Sequence, residues 1–431
     1  MASRPSTRVV ADLPLTPPTG MRDHLPEAAR VRASLASRLL GLFQRYGYER
    51  VMTPAFEYAD VLERGLELDR RDVLRFVEPE TGEVALLRPD ITPQIARIVA
   101  TRLSDRPAPW RLCYHGTMLR RRRGRARKSR ALSQAGVECV GFGGLGADLE
   151  VIGLAAEACA LVGLPGVRVE LGQVGLGRLL LAEVPEAARA PVAEALASKD
   201  AHALEARLRE AKVPARQRRR VLGLVDLYGE RPVLGRARRR YKDAESRAAL
   251  DELARVWDGL AERGLEPQLG VDLGELRGHA YYTGVSFALL AEGPGEPLGG
   301  GGRYDRLLGR FGRPAPATGF GLDVGHVLWA LEAAGRPWRP SRPLRLAELG
   351  APAELVAGLR DAGVEVAALP ESVGDRALGF ARAWGYDGVL GAGELRRASD
   401  GKRRALEDGV GGVLALRDWL AEAHAPKGAK G

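Results

Sequence analysis

The clearest alternation of apolar and polar positions lies in the first third of the chain. Residues 111–119 and 131–142 are apolar and rich in strand-forming side chains, and the residues between them are mostly arginine. This pattern predicts two antiparallel strands joined by a basic hairpin loop. On the second strand, a period of two places Gln134 and Glu138 on one face, with Gly136 leaving space between them. Buried polar groups need partners or a ligand, so this face predicts a polar cleft; an ordinary hairpin with a solvated loop is the alternative.

The residues before this hairpin predict a helix, a strand and a second hairpin. Apolar residues at helical spacing over 28–46 predict a long amphipathic helix, and residues 47–54 predict a strand that ends at a proline. Residues 76–88 predict a second hairpin. Thr92 precedes a proline at the start of a helix predicted over 94–103, so it is a candidate N-cap residue that needs no ligand.

The second half of the chain predicts a helical insertion and a separate small domain. Residues 175–265 are rich in Ala, Leu, Arg and Glu, which favours helices. Their basic runs, 216–220 and 236–242, are most simply solvated helix faces, with a surface for tRNA or a partner protein as the alternative. Residues 335–343 form a proline-rich linker, and residues 344–423 alternate strand and helix patterns, which predicts a small open α/β domain.

Composition places the chain among soluble globular proteins with two or three domains. No run of about 18 apolar residues occurs, so no membrane-spanning helix is expected. The N-terminus lacks the apolar segment of a secretory signal, and the three cysteines have no paired spacing, which predicts reduced residues in a cytoplasmic protein. Residues 1–17 and 424–431 are predicted to be disordered.

The net charge of +10 is compatible with binding to nucleic acid, phosphorylated metabolites or acidic partners. The basic run over 120–130 has no aromatic residues between its arginines, so it lacks the stacking platforms of a single-strand binder. Charge alone therefore does not predict RNA binding.

Four motifs follow one another in a fixed order. They are Arg-Pro-Asp-Ile-Thr at 88–92, Gln-Ala-Gly-Val-Glu at 134–138, Arg-Gly-x-x-Tyr-Tyr at 277–282 and Gly-Gly-Arg-Tyr-Asp at 301–305. This set resembles the histidyl-tRNA synthetase family of class II aminoacyl-tRNA synthetases. The resemblance implies an α+β fold for residues 18–334, with an antiparallel sheet core flanked by helices and the helical insertion. It also implies that residues 344–423 form a reduced version of the anticodon-binding domain.

The same resemblance implies a binding site for histidine. The implied histidine-binding residues are Asp90, Thr92, Gln134, Glu138, Arg277, Tyr281, Tyr282 and Tyr304. In the family, the residues at Asp90 and Thr92 hold the ammonium group, and the arginine at position 277 meets the carboxylate. Gln134 and Glu138 would take the imidazole and the amino-acid end. Asp90 is one methylene shorter than the family's glutamate.

Two positions depart from a working synthetase. His326 stands where the family's motif 3 carries an arginine that binds ATP phosphate, and Arg122 stands where motif 2 carries a glutamate. Histidine is shorter and lacks a permanently charged fork, and loss of such a charge typically slows the chemistry on the order of 10²-fold or more. Arg120, retained from motif 2, is a candidate anion-binding residue or simply a loop charge. The resemblance therefore implies retained amino-acid recognition without ATP handling.

Two groups within this family share the motif set: the synthetases themselves and the synthetase-like regulatory subunits of ATP phosphoribosyltransferase. The departures favour the second group, which is non-catalytic, is required for the first step of histidine biosynthesis and mediates feedback inhibition by histidine. The implied partners are a short-form catalytic subunit and L-histidine, with a homodimer, built on the helix over 28–46, inside a larger hetero-oligomer. No cofactor or metal is expected, and tRNA is not expected as a partner. A divergent histidyl-tRNA synthetase and an RNA-binding module without chemistry are the alternatives.

Overall fold

The computed structural model describes residues 15–65, 73–120, 129–182, 184–275, 281–406 and 409–421. The described residues divide into two compact units between Arg339 and Pro340, inside the proline-rich segment 335–343. Residues 1–14 of the N-terminal segment and the whole of 424–431 lie outside the described residues, as do Arg122 and Arg277.

The first unit is built on a large mixed sheet. The strands of this unit, which belong to two sheets, are β1 (Glu49–Arg50), β2 (Phe56–Tyr58), β3 (Leu74–Val77), β4 (Val84–Leu87), β5 (Trp110–Leu119), β6 (Ala131–Val140), β7 (Arg168–Gln173), β8 (Tyr228–Gly229), β9 (Leu269–Asp272), β10 (Val285–Leu290), β11 (Gly299–Arg303) and β12 (Ala317–Asp323). Over the described ranges, nine strands pair in the order β1-β5-β6-β12-β11-β10-β7-β9-β8, and β2-β4-β3 form a small separate sheet. In this order, the six adjacent strands β5, β6, β12, β11, β10 and β7 each pair antiparallel with the next. This confirms the predicted antiparallel core.

Helices cover this sheet and fill the insertion. They are α1 (Pro26–Arg45), α2 (Ala59–Gly65), α3 (Thr92–Thr101), α4 (Leu145–Leu161), α5 (Val174–Leu181), α6 (Glu186–Ala197), α7 (Ala201–Glu210), α8 (Ala215–Leu222), α9 (Pro232–Arg240), α10 (Ala244–Ala261) and α11 (Val324–Ala333). The apolar stripe of α1 is buried through Leu35, Leu39 and Phe43, as its helical spacing predicts. The three cysteines are free and buried, in agreement with the prediction of reduced core residues.

The central hairpin forms as the alternation predicts. β5 and β6 pair antiparallel over their full lengths, with Leu112 opposite Glu138 and Gly116 opposite Gln134. On its other side β6 pairs with β12, so it lies inside the sheet with a hydrogen-bonded strand on each edge. The basic loop, residues 121–128, falls outside the described ranges.

The glycine run at 299–302, which leads into the Gly-Gly-Arg-Tyr-Asp motif, forms a strand. It lies in β11 between β10 and β12 and pairs with both. A Cβ atom at Gly301 would lie 2.1 Å from the carbonyl oxygen of Gly319, so a side chain there would collide with the adjacent backbone. These glycines therefore allow the backbones of β10, β11 and β12 to lie close together.

The second unit is a small α/β sheet. Its strands are β13 (Arg345–Glu348), β14 (Glu365–Ala368), β15 (Gly388–Leu390), β16 (Glu394–Arg397) and β17 (Arg403–Ala405), and its helices are α12 (Ala353–Asp361), α13 (Ala377–Ala383), α14 (Gly409–Ala415) and α15 (Arg417–Ala421). The strand order is β14-β13-β15-β16-β17, with the first three parallel. The antiparallel pair β16 and β17 was not predicted from the sequence. Neither unit contains, in its described part, a helix with the length and apolar character needed to span a bilayer.

Candidate functional site

Seven residues predicted from the sequence surround one small cavity in the first unit. We call it the inner cavity; it is lined by Asp90, Thr92, Tyr114, Gln134, Glu138, Tyr281, Tyr282, Gly300, Tyr304, Gly319, Phe320 and Gly321. Its volume is about 20 Å³, which is room for about one water molecule. Strands β5, β6, β11 and β12 contribute to the lining together with the start of α3. The cavity thus depends on the whole sheet rather than on one local motif.

Glu138 is the acceptor shared by three hydroxyl groups in the inner cavity. Its side chain is 1% exposed. The hydroxyl of Thr92 donates to Oε1 at 2.6 Å, that of Tyr114 donates to the same oxygen at 3.5 Å, and that of Tyr304 donates to Oε2. Burial, together with the nearby charge of Asp90, raises the pKa of Glu138 to about 8 against the opposing effect of hydrogen bonds from the three hydroxyls. Glu138 therefore keeps its proton to higher pH than an exposed glutamate does.

The start of α3 differs from the predicted cap. Ile91 occupies the N-cap position and Thr92 is the first helical residue, so the prediction that Thr92 caps the helix is wrong. The hydroxyl of Thr92 is used on Glu138 instead. Asp90 accepts from the Thr92 amide at 3.1 Å, and its other oxygen accepts from the Tyr281 hydroxyl at 2.9 Å. The Asp90 carboxylate thus stabilises the positive end of the helix and faces the cavity.

Aromatic rings form one wall of the inner cavity. Burial raises the pKa of Tyr114, Tyr281 and Tyr304 well above the usual value for tyrosine, so their hydroxyls stay protonated and act as donors. The ring of Tyr281 meets those of Tyr282 and Tyr304 edge-on, with centroids 5.2 Å and 5.6 Å away. Edge-on packing fixes ring orientation, so the hydroxyls are held towards the carboxylates.

Two glycines on β12 make room for the polar side chains of β6. Gly319 lies opposite Glu138, and a Cβ atom there would lie 1.9 Å from Glu138 Oε2. At Gly321 a Cβ atom would lie 2.1 Å from Gln134 Nε2. Any other residue at these positions would therefore displace the side chains that form the cavity floor.

A larger cleft adjoins the inner cavity. This outer cleft has a volume of about 340 Å³, within the usual range for small-molecule sites. It shares Gln134, Tyr282, Gly300 and Gly321 with the inner cavity. A ligand could therefore place one end in the inner cavity and extend into the cleft.

Acidic side chains dominate the outer cleft. Its carboxylates are Glu170, Asp272, Glu275, Glu296 and Asp323. Arg120 and His326 are the basic side chains in its described lining. Lys199, outside the lining, pairs with Asp272. The described residues contain no group of three or more His, Cys, Asp or Glu side chains arranged to hold a metal ion.

The two basic side chains of the cleft are both held by backbone carbonyls. Arg120 Nε donates to the carbonyl oxygen of Pro89 at 2.8 Å. His326 lies in the first turn of α11, where its amide donates to Asp323, and its Nδ1 lies 2.9 Å from the carbonyl oxygen of Pro297. Because a carbonyl oxygen only accepts, Nδ1 carries the proton in that contact. His326 thus donates to a neighbouring loop through Nδ1 while its side chain also lines the cleft.

One residue of the cavity was missed by the sequence prediction, and one predicted residue stays untested. The sequence analysis did not predict Tyr114 as a site residue. It pairs with Gly136 on β6, which lies between Gln134 and Glu138 along that strand. The strand register that places it there cannot be read from one strand alone. Arg277, predicted to meet a carboxylate, lies outside the described residues.

Comparison with known proteins gives a consistent result. The family model for histidyl-tRNA synthetase matches residues 20–327. An ATP phosphoribosyltransferase regulatory subunit from Moorella thermoacetica is 38% identical over 418 residues, covering 96% of this chain and 100% of the relative. The chain belongs to the family of ATP phosphoribosyltransferase regulatory subunits. A second member of that family, from Anaeromyxobacter dehalogenans, is 44% identical over 342 residues, covering 78% of this chain and 97% of the relative.

Solved structures agree with this family. A structure described as an ATP phosphoribosyltransferase regulatory subunit/histidyl-tRNA synthetase from Bacillus halodurans has a TM-score of 0.75 and 28% identity, covering 91% of this chain and 100% of that chain. The histidyl-tRNA synthetase from Nostoc has a TM-score of 0.73 at 19% identity, covering 95% and 99% of the two chains, which supports the fold alone. The regulatory-subunit family thus shares the synthetase fold.

Proposed function

We propose that this chain is a non-catalytic regulatory subunit of ATP phosphoribosyltransferase that binds histidine at the inner cavity. The names of its relatives support the regulatory role. The ligand is supported by one observation: two buried carboxylates, Asp90 and Glu138, face a cavity whose described lining has no basic side chain. Such a cavity suits a ligand with positive charge and several N–H donors, and histidine carries both an ammonium group and an imidazole.

Binding requires side chains around the inner cavity to move, because the cavity holds only about one water molecule. We expect an N–H group of histidine to replace the Tyr304 hydroxyl as a donor to Glu138. The rest of the ligand then occupies the outer cleft beside Gln134 and Tyr282, which line both spaces. The new charge-assisted hydrogen bond offsets the loss of the tyrosine contact and favours the ionised form of Glu138.

The remaining contacts follow the sequence prediction. We propose that Asp90 receives the ammonium group, because it already accepts hydrogen bonds from a hydroxyl and an amide. The other proposed histidine-binding residues are Thr92, Gln134, Arg277, Tyr281, Tyr282 and Tyr304, with Arg120 as a candidate anion-binding residue. Glu138 and Asp90 therefore carry the main electrostatic contribution, and the tyrosines enclose the ligand.

Catalytic silence is part of the same proposal. His326 occupies the position of the synthetase arginine that binds ATP phosphate, and its Nδ1 is used on Pro297. The five carboxylates of the outer cleft oppose a triphosphate further, since like charges at close range are repelled. A divergent histidyl-tRNA synthetase is the competing function. It would require histidine-dependent exchange between ATP and pyrophosphate.

Feedback control follows from linkage between two binding events. Histidine inhibits the assembly only if it binds the inhibited form more tightly than the active form. We propose a short-form catalytic chain as the partner, and a homodimer of this chain within the larger hetero-oligomer. The inner cavity is then an effector site, separate from the site of catalysis.

Reconstitution tests the proposal. The purified chain is added to the short-form catalytic subunit from the same organism, and formation of phosphoribosyl-ATP is followed with and without histidine. We expect activation that histidine reverses. The control is Glu138→Gln, which should activate equally and lose sensitivity to histidine. A folded chain that binds histidine but does not activate would contradict the regulatory role.

A further inference from the structure

The helical insertion carries a concentrated positive charge that the histidine site does not use. Residues 212–247 contain twelve Lys and Arg residues and four Asp and Glu residues, in a chain whose net charge is +10. In α8 and α9 the apolar side chains are buried, as Val221 and Leu234 show, so the arginines lie on the outer faces. None of these residues lines the inner cavity or the outer cleft. A separate role for this surface is therefore open.

An open groove of about 660 Å³ lies between α9 and α10 within this basic region. Two arginines near α9 are already neutralised by two aspartates of α10. The pairs are Arg231 with Asp258, through two hydrogen bonds of 2.9 and 3.0 Å, and Arg238 with Asp251. Arg247 and Arg255 also line the groove, are exposed, and make no hydrogen bond or ion pair within the described part of the chain. The groove thus presents two available guanidinium groups beside satisfied ion pairs.

The order of charges along α10 indicates what the groove can bind. Arg247, Asp251, Arg255 and Asp258 are four, four and three residues apart, so they share one helix face and alternate in sign. A nucleic-acid strand is negative at every phosphate and would meet the aspartates as well as the arginines. A protein helix can instead place carboxylates opposite the two arginines alone. The alternation therefore favours an acidic protein segment over a phosphate backbone.

The spacing of the two available arginines sets the spacing required of the partner. Arg247 and Arg255 are eight residues apart, which is roughly 12 Å along a helix. Two carboxylates about two turns apart on a facing helix match that separation. Arginine can bind each carboxylate through two parallel hydrogen bonds, which fixes the register of the pair as well as attracting it.

We propose that the groove between α9 and α10 docks an acidic helix of the catalytic chain, with Arg247 and Arg255 as its anchors. The identity of the partner rests on the proposed regulatory function, whereas the acidic chemistry of the segment rests on the groove. The contact accelerates and orients association through charge complementarity, and it weakens as ionic strength rises.

Charge reversal tests the groove against a matched control. Arg247→Glu/Arg255→Glu reverses the two anchors, and Arg216→Glu/Arg219→Glu makes the same charge change on α8, where both arginines are exposed. Affinity for the catalytic chain is measured by sedimentation at low and moderate salt. We expect the groove variant to lose at least about tenfold in affinity and the control less than about threefold. Histidine affinity, measured by calorimetry, should be unchanged in both.

Three results would overturn the proposal. The first is unchanged affinity and activation in the groove variant, which would leave the regulatory function intact. An equal loss in both variants would assign the effect to overall charge rather than to the groove. RNA binding by the unaltered chain is measured as well. If the groove variant loses RNA binding but binds the catalytic chain normally, the surface would be assigned to nucleic acid. Failure of the unaltered chain to bind or activate the catalytic chain would instead contradict the regulatory function itself.

Discussion

The inner cavity and the outer cleft share four lining residues, yet their polar groups are satisfied to different degrees. In the inner cavity, the carboxylates of Asp90 and Glu138 accept hydrogen bonds from hydroxyl and amide donors held by packed rings. In the outer cleft, one oxygen of Asp323 is buried without a hydrogen-bond partner among the described residues, and the His326 ring contacts a backbone carbonyl. The two spaces thus differ in how completely their carboxylates are hydrogen-bonded.

The largest expected effect is the loss of histidine binding in Glu138→Gln. Glutamine nearly preserves the shape of the side chain and removes its charge. Hydrogen bonds to charged groups contribute roughly 1.5–3 kcal/mol, so we expect histidine affinity to fall by about 10-fold to about 150-fold. Calorimetric titration of the purified variant measures this. Histidine affinity equal to that of the unaltered chain would remove Glu138 from the site.

Gly319 and Gly321 of β12, which we call the glycine floor, give the next largest effect. In Gly319→Ala the new Cβ atom would overlap Glu138 Oε2, so either the strand or the carboxylate must shift. We expect a loss of about 1–3 kcal/mol in the free energy of unfolding, together with weaker histidine binding. Urea unfolding measures the first and calorimetry the second.

Gly41→Ala is the matched control for the glycine floor. Gly41 lies within α1, and a Cβ atom there meets nothing within 4 Å. Because alanine restricts the unfolded chain and favours the helix, this change should stabilise by about 0.5–1 kcal/mol. Destabilisation of similar size in both variants would mean that the floor is not specially constrained.

The raised pKa of Glu138 predicts that the stability of the folded chain depends on pH. Burial raises the pKa of this carboxyl to about 8 in the folded chain, from the ordinary value of 4.5. Between these pH values the folded state binds the additional proton, so this group stabilises the fold at pH 5 and less at pH 8. Urea unfolding across that range should show the free energy of unfolding falling as pH rises. Glu138→Gln should flatten the slope; an unchanged slope would contradict the assignment.

The smallest effect is expected in the outer cleft. His326→Ala removes the contact with Pro297 but leaves every residue of the inner cavity in place. Histidine affinity should change by less than about twofold, as is typical of substitutions away from a buried network. Calorimetry under the conditions used for Glu138→Gln makes the comparison direct. A large loss in His326→Ala would mean that His326 itself contributes to histidine binding.

The sequence predicted the features of this site that depend on local pattern. Alternation along 131–140 placed Gln134 and Glu138 on one face, and the structure has both in the cavity. The order of motifs indicated the fold, which the antiparallel sheet confirms. These features depend on periodicity and spacing, which one sequence contains.

Features that depend on pairing between distant segments were missed. Tyr114 enters the site because of the register of β5 against β6, which no residue of β5 specifies alone. Thr92 has the sequence context of a helix cap, but a buried carboxylate 46 residues away takes its hydroxyl. The sequence alone did not show that Gly319 and Gly321 of β12 leave room for side chains of the neighbouring strand β6.

Exchange between ATP and pyrophosphate, measured with and without histidine, tests the central claim most directly. The account predicts that the purified chain binds histidine in a parallel calorimetric titration and shows no histidine-dependent exchange, because recognition of the amino acid is retained without a site for phosphate. Exchange that depends on histidine and is lost in Glu138→Gln would contradict it, and would make this chain a synthetase.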